Sequence, residues 1–381
     1  MLKLLTLCMG TTLLLYLSQR YNPAHDGTRS NHRHYLAGSM DVFLLAAVIW
    51  MTCFSFLRTS YNDTNTYIRG FLSAQSVSQG FVSGAYFDWM ENPMSVLYRD
   101  WVRSWTGNYH VYFFFPALLL SLATVQLFRH YSVSPVMSLF LYFCLGTYVL
   151  YLAAFKQGIA MAILLLALPY AERKEYVTYS LLVMLATLFH FYAIIYLLVP
   201  LLFGKPWGKT TWIMLAIALF TLMTYDWTLG ELMRYMDELG GDIKAEELFD
   251  GHSVNGLRVM VYWVPGLMAL MFRRHVVYQS TPMENLVVNL SILCACVLTI
   301  GLAEGANLYG RMAAYFEWAI ALTIPLIIKK IFTKSSAALV SAAAAGLFFG
   351  YFYYEFAISK DFGSNYQAIT MWQFVLELLG I

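Results

Sequence analysis

The chain has 381 residues, of which 60% are hydrophobic and only 12% are charged. A soluble domain carries about 25% charged residues, so this composition excludes a protein that faces water on all sides. The 24 Lys and Arg residues nearly balance the 22 Asp and Glu residues, and the net charge of +2 gives no support to a nucleic-acid partner. Because the apolar residues come in blocks of about 20, the length of a membrane-spanning helix, the sequence predicts a helical integral membrane protein.

Twelve apolar blocks, separated by polar breaks, are predicted to form helical spans. The blocks are residues 2–18, 39–57, 109–127, 136–154, 157–171, 177–190, 191–203, 211–226, 256–272, 285–303, 312–328 and 336–354. No small-residue cleavage site follows the first block, so we expect a retained helix there rather than a signal peptide. Two long connections, 58–108 and 227–255, are predicted to form external helical regions. No soluble domain separates the blocks, and residues 1–381 are expected to form a single integral membrane domain.

Basic residues in alternate short connections set the predicted orientation. More than half of the Lys and Arg residues lie in one set of these connections: Arg20, Arg29, Arg33, Arg129, Arg173, Lys174, Lys205, Lys209, Arg273, Arg274, Lys329, Lys330 and Lys334. The opposite set includes both long loops and most of the acidic residues. We therefore predict that the first set is cytoplasmic, and that both long loops and both chain termini are extracytoplasmic.

The cysteines give no sign of a disulfide framework, because all five lie inside apolar blocks. They are Cys8, Cys53, Cys144, Cys294 and Cys296. In such surroundings a cysteine behaves as a small hydrophobic residue, and we expect that role for each of them.

Charged and aromatic residues outside the cytoplasmic set occur in five short motifs at predicted external helix ends. In chain order these are Arg58 followed by Asp63, Tyr67 and Phe71; Glu91-Asn92-Pro93; Lys156-Gln157-Gly158-Ile159-Ala160; Ala186-Thr187-Leu188-Phe189-His190; and Arg311 with Tyr315, Phe316 and Pro325. Ionisable groups beside a membrane are costly, so their collection on one predicted side indicates function.

This ordered series resembles the EpsG/Wzy-type family of bacterial polysaccharide repeat-unit polymerases, over roughly residues 40–335. One departure is Lys156, which stands where the family usually has arginine. Lysine provides a point charge where arginine provides a planar fork, so the substitution weakens bidentate phosphate recognition at that position. The resemblance implies an all-α, polytopic bundle of about 12 spans that is similar to GT-C glycosyltransferases.

The activity that the resemblance implies is the transfer of a growing glycan from polyprenyl pyrophosphate to another lipid-linked repeat unit. The product would be an exopolysaccharide, capsule or O-antigen, made at the outer face of the bacterial cytoplasmic (inner) membrane. The expected partners are the lipid-linked donor and acceptor, membrane lipids, and a chain-length regulator and flippase of the same pathway. No nucleotide sugar takes part and no Asp-x-Asp motif occurs, so neither a metal nor a cofactor is expected.

The leaving pyrophosphate requires fixed cations, because it develops negative charge as the glycosidic bond breaks. Predicted cationic ligands at external helix ends are Arg58, Lys156, Arg258 and Arg311. The resemblance adds Tyr67, Gln157 and Tyr315 as further substrate-binding residues. Each charge has an alternative role as an interfacial anchor, whose long side chain reaches the headgroup level.

The attacking hydroxyl requires a general base, for which His190, Glu91 and Asp63 are candidates. Their structural alternatives are a hydrogen-bonded core histidine, a solvated turn and a helix N-cap, respectively. Glu317 lies inside the predicted eleventh span, and its spacing from Arg311 does not favour a same-face pair. A polar partner elsewhere is therefore the alternative for Glu317.

Rival functions are a lipid-linked glycan flippase or other transporter, a polyprenyl-phosphate-sugar glycosyltransferase, and a multispan acyltransferase. Transporters tend to place ionisable residues near the bilayer midplane and to show inverted repeats. Here the polar residues collect at one predicted face without a repeat, which favours an enzyme. Polyprenyl-phosphate-sugar glycosyltransferases usually carry paired acids after their first span, whereas Asp63 is isolated after the second. His190 alone does not separate a polymerase from an acyltransferase.

Overall fold

The computed structural model describes residues 1–21, 40–88, 92–225, 227, 230–231, 234, 254–303 and 307–381. The described chain is mainly α-helical, which confirms the predicted all-α class. Its first helices are α1 (Leu2–Tyr21), α2 (Val42–Phe56), α3 (Thr64–Leu72), α4 (Val77–Val82), α5 (Pro93–Arg103), α6 (Tyr109–Tyr131), α7 (Pro135–Cys144), α8 (Thr147–Ala153), α9 (Phe155–Glu172) and α10 (Tyr176–Phe189). A 3-10 helix (Phe191–Leu202) is followed by α11 (Lys209–Met223), α12 (Gly256–Met271), α13 (Arg273–Val277), α14 (Pro282–Ile300), α15 (Asn307–Ala313), α16 (Glu317–Ile331), α17 (Lys334–Tyr353), a π-helix (Tyr354–Ser359), α18 (Phe362–Asn365) and α19 (Met371–Leu379).

Every predicted span overlaps a helical segment, but most of these segments are short. In the described residues, five helices are long and apolar enough to cross a membrane, or six if one bent pair is a single span. Helix α2, for example, has 15 residues, and at a rise of about 1.5 Å per residue it extends about 22 Å, less than a hydrocarbon core of about 30 Å. About a dozen crossings therefore remain a prediction, as does the likeness to GT-C enzymes.

The bent pair is α7 and α8, which meet at 51° inside the predicted span 136–154. Gly146 lies at the bend with a φ of +79°, a conformation that costs little only for glycine. A Cβ atom there would also lie 2.6 Å from the ring of Phe356. Backbone geometry and close packing thus both require glycine at this break.

A C-terminal segment that the sequence did not predict packs beside the first long loop. Its strand β2 (Gln367–Ala368) pairs antiparallel with β1 (Arg58–Ser60), with Arg58 opposite Ala368. The Tyr366 hydroxyl donates a hydrogen bond of 2.5 Å to the carbonyl of Phe54, at the end of α2. The segment therefore fixes the backbone where α2 leads into the loop.

The chain divides into two compact units, and the first comprises Met1–Leu197 and Ser341–Ile381. Within it, the carboxyl end of α2 meets the amino end of α6, because His110 Nδ1 lies 2.7 Å from the carbonyl of Phe56. The Arg58 side chain, just after α2, also faces Phe155 at the start of α9. These helix ends lie on one side of the unit, as expected if successive spans cross the membrane in alternating directions. The side of the membrane that they face stays a prediction.

The second unit, Leu198–Val340, is built around α14, whose side chains are almost all buried. Asn289 is fully buried in α14, and its amide donates hydrogen bonds to the carbonyls of Leu202 and Gly204. Its carbonyl oxygen accepts a hydrogen bond of 3.0 Å from Thr211. Since both ends of the amide are paired, this polar group links α14 to the start of α11 at little cost.

The cysteine prediction is confirmed for four residues, which are free and buried: Cys8, Cys144, Cys294 and Cys296. Cys53 is also free but partly exposed. The first long loop contains α3, α4 and α5, as expected of a helical region. Most of the predicted helical loop 227–255 lies outside the described residues.

Candidate functional site

Arg58 is the most constrained of the predicted substrate-binding residues. It follows α2 and is 1% exposed, and its guanidinium lies over the ring of Phe113, 4.1 Å from the centroid. Nε donates to Thr64 Oγ1 at 3.1 Å, and Nη1 donates to the carbonyl of Ser55 at 2.5 Å. Two donors and one face of the planar group are thus held by the protein.

The remaining nitrogen of Arg58, Nη2, is buried and has no hydrogen-bond partner in the described part of the chain. Burial lowers the pKa of Arg58 to about 10, with nearby tyrosines opposing the shift, so the group stays cationic near neutral pH. A buried donor without an acceptor costs about 1–3 kcal/mol, and more if it is charged. An anionic ligand at Nη2 would recover that cost.

The amino end of α9 brings three further predicted residues close to Arg58. The Tyr67 ring lies 5.3 Å from that of Phe155, and the Phe155 centroid is 5.9 Å from the Arg58 guanidinium carbon. Lys156 and the buried Gln157 follow directly in the first turn. Helix amino ends present unpaired N–H groups and favour anions. The structure therefore brings Arg58, Tyr67, Lys156 and Gln157 close together, while their role as substrate ligands stays a prediction.

Tyr67 contacts this helix start through its hydroxyl end. Burial raises its pKa to about 12, with Asp63 adding to the shift, while Arg58 and the backbone N–H groups of Phe155 and Lys156 lower it. The phenol is therefore neutral at physiological pH, where it can both donate and accept hydrogen bonds. This suits a residue that bridges an anion and the helix start.

Asp63 immediately precedes α3, and its side chain is exposed. Asp63 is thus the N-cap residue of α3, as the structural alternative had it, but its side chain makes no capping hydrogen bond with the described residues. Thr64 explains this local geometry, because its hydroxyl donates to the carbonyl of Tyr61 at 2.6 Å and accepts from Arg58. The loop is therefore positioned by Thr64, and the Asp63 carboxylate faces solvent.

His190 lies at the end of α10, partly exposed, with its ring centroid 5.5 Å from that of Tyr192. The start of α5 packs here, since Asn92 Oδ1 accepts from the Phe191 N–H at 2.9 Å. Ser95 on α5 also donates to the carbonyl of Phe189. Two predicted motifs thus meet at His190, although Glu91 itself lies outside the described residues.

His110 is a buried histidine beside Arg58 that the sequence analysis missed. Its Nδ1 must donate to the Phe56 carbonyl at 2.7 Å, because a carbonyl only accepts. Its Nε2 lies 3.8 Å from the Glu377 carboxylate on α19. The partners lie 54 and 267 residues away in sequence, so the only local signal was a histidine two residues after Asn108, which caps α6.

In the second unit, Arg258 on α12 donates from Nη2 to Oε1 of Glu317, which is fully buried. The Arg258 guanidinium also lies 5.3 Å from the ring centroid of Tyr262. This pair confirms the expectation that Glu317 has a polar partner outside its own segment. Arg258, predicted to bind substrate, is instead observed compensating a buried carboxylate.

The predicted span 312–328 is wrong at its start, because α15 ends at Ala313 and α16 begins at Glu317. Tight i to i−3 hydrogen bonds, such as Phe316 N–H to the Ala313 carbonyl at 2.9 Å, turn the chain between them. Glu317 therefore lies in the first turn of a helix, not deep inside one. Arg311 is exposed on α15, whereas Tyr315 is fully buried in the turn.

Among the described residues, no three His, Cys, Asp or Glu side chains form a group that could hold a metal ion. In a comparison with known protein families, the model of the EpsG family matches residues 41–371. No curated protein and no solved structure matches the chain. Since the match covers most of the chain, including the Arg58, α9 and His190 motifs, this protein belongs to the EpsG family of Wzy-type polymerases.

Proposed function

We propose that the protein polymerises polyprenyl-pyrophosphate-linked oligosaccharide repeat units into a bacterial surface polysaccharide. It acts at the extracytoplasmic face of the cytoplasmic membrane and needs neither metal nor cofactor. Membership of the EpsG family supports a polysaccharide polymerase-like role. The long apolar helices of the described chain fit an enzyme with lipid-linked substrates.

The observation that carries the proposal is Nη2 of the buried Arg58, which has no hydrogen-bond partner among the described residues. In the proposed complex this nitrogen donates to the leaving pyrophosphate, which also accepts from Lys156 and from the Tyr67 hydroxyl, whose oxygen is held by the first N–H groups of α9. Fixed donors of this kind act most strongly where negative charge develops in a water-excluded site. Tyr67 and Gln157 would orient the same group.

In the proposed step, the acceptor sugar hydroxyl attacks the anomeric carbon of the donor. A carbon–oxygen bond forms there as the bond to the pyrophosphate oxygen breaks, and the pyrophosphate leaves with the electron pair. The hydroxyl proton passes to a general base, for which His190 and Glu91 remain the first candidates and Asp63 the third. Arg311 and Tyr315 remain proposed substrate contacts, while for Arg258 we propose a structural role.

The test replaces Arg58 by Ala and measures polymer length and protein abundance in cells. Loss of one such transition-state donor costs about 3–4 kcal/mol, or about two to three decades in rate. Arg58→Lys should restore activity only in part, because the charge returns without the planar fork. Arg69→Ala is the matched control, since Arg69 is an exposed arginine on the neighbouring α3. Full-length polymer from the Arg58→Ala strain at normal abundance would refute the proposal for this residue.

Deleting the gene distinguishes the rival functions. Polymerase loss should abolish long polymer while single lipid-linked repeat units still form and reach the outer leaflet. Accumulation of the single unit on the cytoplasmic leaflet would identify a flippase. Loss of the single unit itself would identify an earlier glycosyltransferase.

The base candidates are separated by His190→Ala and Glu91→Ala. Replacement of the true base should stop polymerisation while the purified protein still binds the lipid-linked donor. If either variant loses donor binding instead, its residue contributes to the substrate pocket, not to proton transfer.

A further inference from the structure

An apolar groove with a volume of about 660 Å³ opens on the surface of the first unit. Its walls come from α1, α2 and the C-terminal segment, with Ala46, Ile49, Trp50 and Cys53 along α2. Lys3, in the first turn of α1, lines one end. The groove is therefore apolar along its length and cationic at its mouth.

The groove runs along α2 from Ala46 to Leu57. The eleven residue-to-residue steps from Ala46 to Leu57 rise about 16 Å, or about half of a hydrocarbon core. At the Leu57 end, Lys3 Nζ lies 5.7 Å from the centroid of the Tyr366 ring, which is stacked on Phe54. These features match an amphiphile that has a long apolar tail and an anionic head.

The mouth of the groove adjoins the Arg58 site through the β1–β2 pair. Leu57 and Ala368 line the groove, while Arg58 follows Leu57 directly and is paired with Ala368. Tyr366, which also lines the groove, is close enough to raise the pKa of Arg58. A lipid tail in the groove would thus bring its head to the strand that holds Arg58.

We propose that this groove binds the isoprenoid tail of the lipid-linked substrate, with its phosphate end beside Lys3 and β1. The inference rests on the proposed function and adds where the lipid part of the substrate is held. Burial of an isoprenoid chain provides affinity that does not depend on the sugars, at about 25 cal/mol per Å² of apolar surface. The groove would therefore serve repeat units of any sugar composition.

Cys53 provides a natural labelling site in the groove, because it lines the groove and is partly exposed. The other four cysteines are buried. The experiment measures the rate of its modification by an apolar maleimide in the purified full-length protein. Undecaprenyl phosphate at ten times its Kd should slow the modification roughly tenfold by mass action. Inorganic pyrophosphate and phosphatidylglycerol, as separate probes, should leave the rate unchanged. Cys53→Ala should abolish the labelling.

A second reporter, Ile49→Cys, repeats the measurement at a groove position that is 51% exposed. Ala46→Trp fills the groove and should weaken protection by undecaprenyl phosphate without lowering protein abundance. Leu45→Trp is the matched control, because Leu45 is exposed on the same helix but does not line the groove. Equal effects of the two substitutions would argue against the groove.

The inference is overturned if undecaprenyl phosphate protects neither reporter, or if phosphatidylglycerol protects them equally. Protection by inorganic pyrophosphate alone would also overturn it, since that probe has no tail. A separate assay, polymer length in the Arg58→Ala strain, tests the proposed function independently of the groove. Protected reporters together with normal polymer in that strain would retain the groove and reject the pyrophosphate clamp.

Discussion

Removing the guanidinium of Arg258 should destabilise the protein before it affects any chemistry. Arg258 donates to Glu317, whose side chain has no exposure to solvent. In Arg258→Gln the carboxylate would stay buried without the positive charge of Arg258 beside it. We therefore expect lower abundance and a lower melting temperature for this variant, because removing one partner of a buried ion pair is strongly unfavourable.

The size of the effect follows from the surroundings of Glu317. Breaking one partner of a buried ion pair costs about 3–5 kcal/mol. Glu317 lies at the amino end of α16, and the helix dipole stabilises an anion in that first turn by about 0.3–1 kcal/mol. Loss of the contact between Arg258 and the Tyr262 ring adds about 0.5–1 kcal/mol. The balance is a destabilisation of about 3–5 kcal/mol, a large fraction of the stability of a typical domain.

The assay is thermal unfolding of the purified protein in detergent, with polymer length measured in parallel. Arg274→Gln is the control, since Arg274 is an exposed arginine in the same unit. Glu317→Gln combined with Arg258→Gln removes both charges and should recover much of the loss, because no unpaired charge then stays buried. Non-additivity of the two single changes measures the coupling directly.

Wild-type melting in Arg258→Gln would refute this reasoning. If polymer were also lost at unchanged stability, Arg258 would bind substrate as the sequence first indicated. A melting loss that the second substitution, Glu317→Gln, does not relieve would assign the effect to packing around Tyr262 instead of charge.

Three shorter predictions follow from the same structure. Gly158→Ala should lower activity and melting temperature, because the new Cβ would lie 2.9 Å from the Tyr151 carbonyl oxygen in α8. Gly70→Ala is the control and should be silent, since its Cβ would meet no atom of the described residues within 4 Å. Lys156→Arg should retain or raise polymer output in cells, since it restores the planar fork that the family usually has there. A topology reporter fused after Lys209 should report cytoplasm and one fused at Ile381 should report the outside, and two fusions on the same side would refute the predicted orientation.

Hydropathy predicted where helices occur but not how each one is interrupted. The apolar block 136–154 contained Gly146, yet the bend there depends on Phe356, a contact between residues about 200 positions apart. The block 312–328 likewise gave no warning of the turn after Ala313. The apolar content of a segment reflects whether lipid or protein surrounds it. The positions at which a helix is interrupted depend instead on backbone hydrogen bonds and tertiary packing.

The candidate site was predictable where its residues share a short motif and not where they depend on distant partners. Arg58 and Lys156 were found from charges at helix ends. His110 was missed because its partners are a backbone carbonyl and a carboxylate near the C-terminus. Arg258 was given a substrate role because sequence alone did not reveal its pairing with Glu317.

A comparison of the buried Arg58 with the partly exposed Arg258 indicates which arginine environment suits an anionic ligand. The charge of Arg258 is already compensated by Glu317, so binding a phosphate there would place a second negative charge beside a buried carboxylate. Arg58 has neutral partners in the described residues, namely hydroxyls, a carbonyl and aromatic rings, and it keeps one donor unused. Burying a cation without a counter-charge costs desolvation free energy, and a neutral residue in the same structural role would avoid that cost. Because the protein keeps the buried Arg58 cation despite this desolvation cost, we expect the counter-charge of Arg58 to come from the substrate.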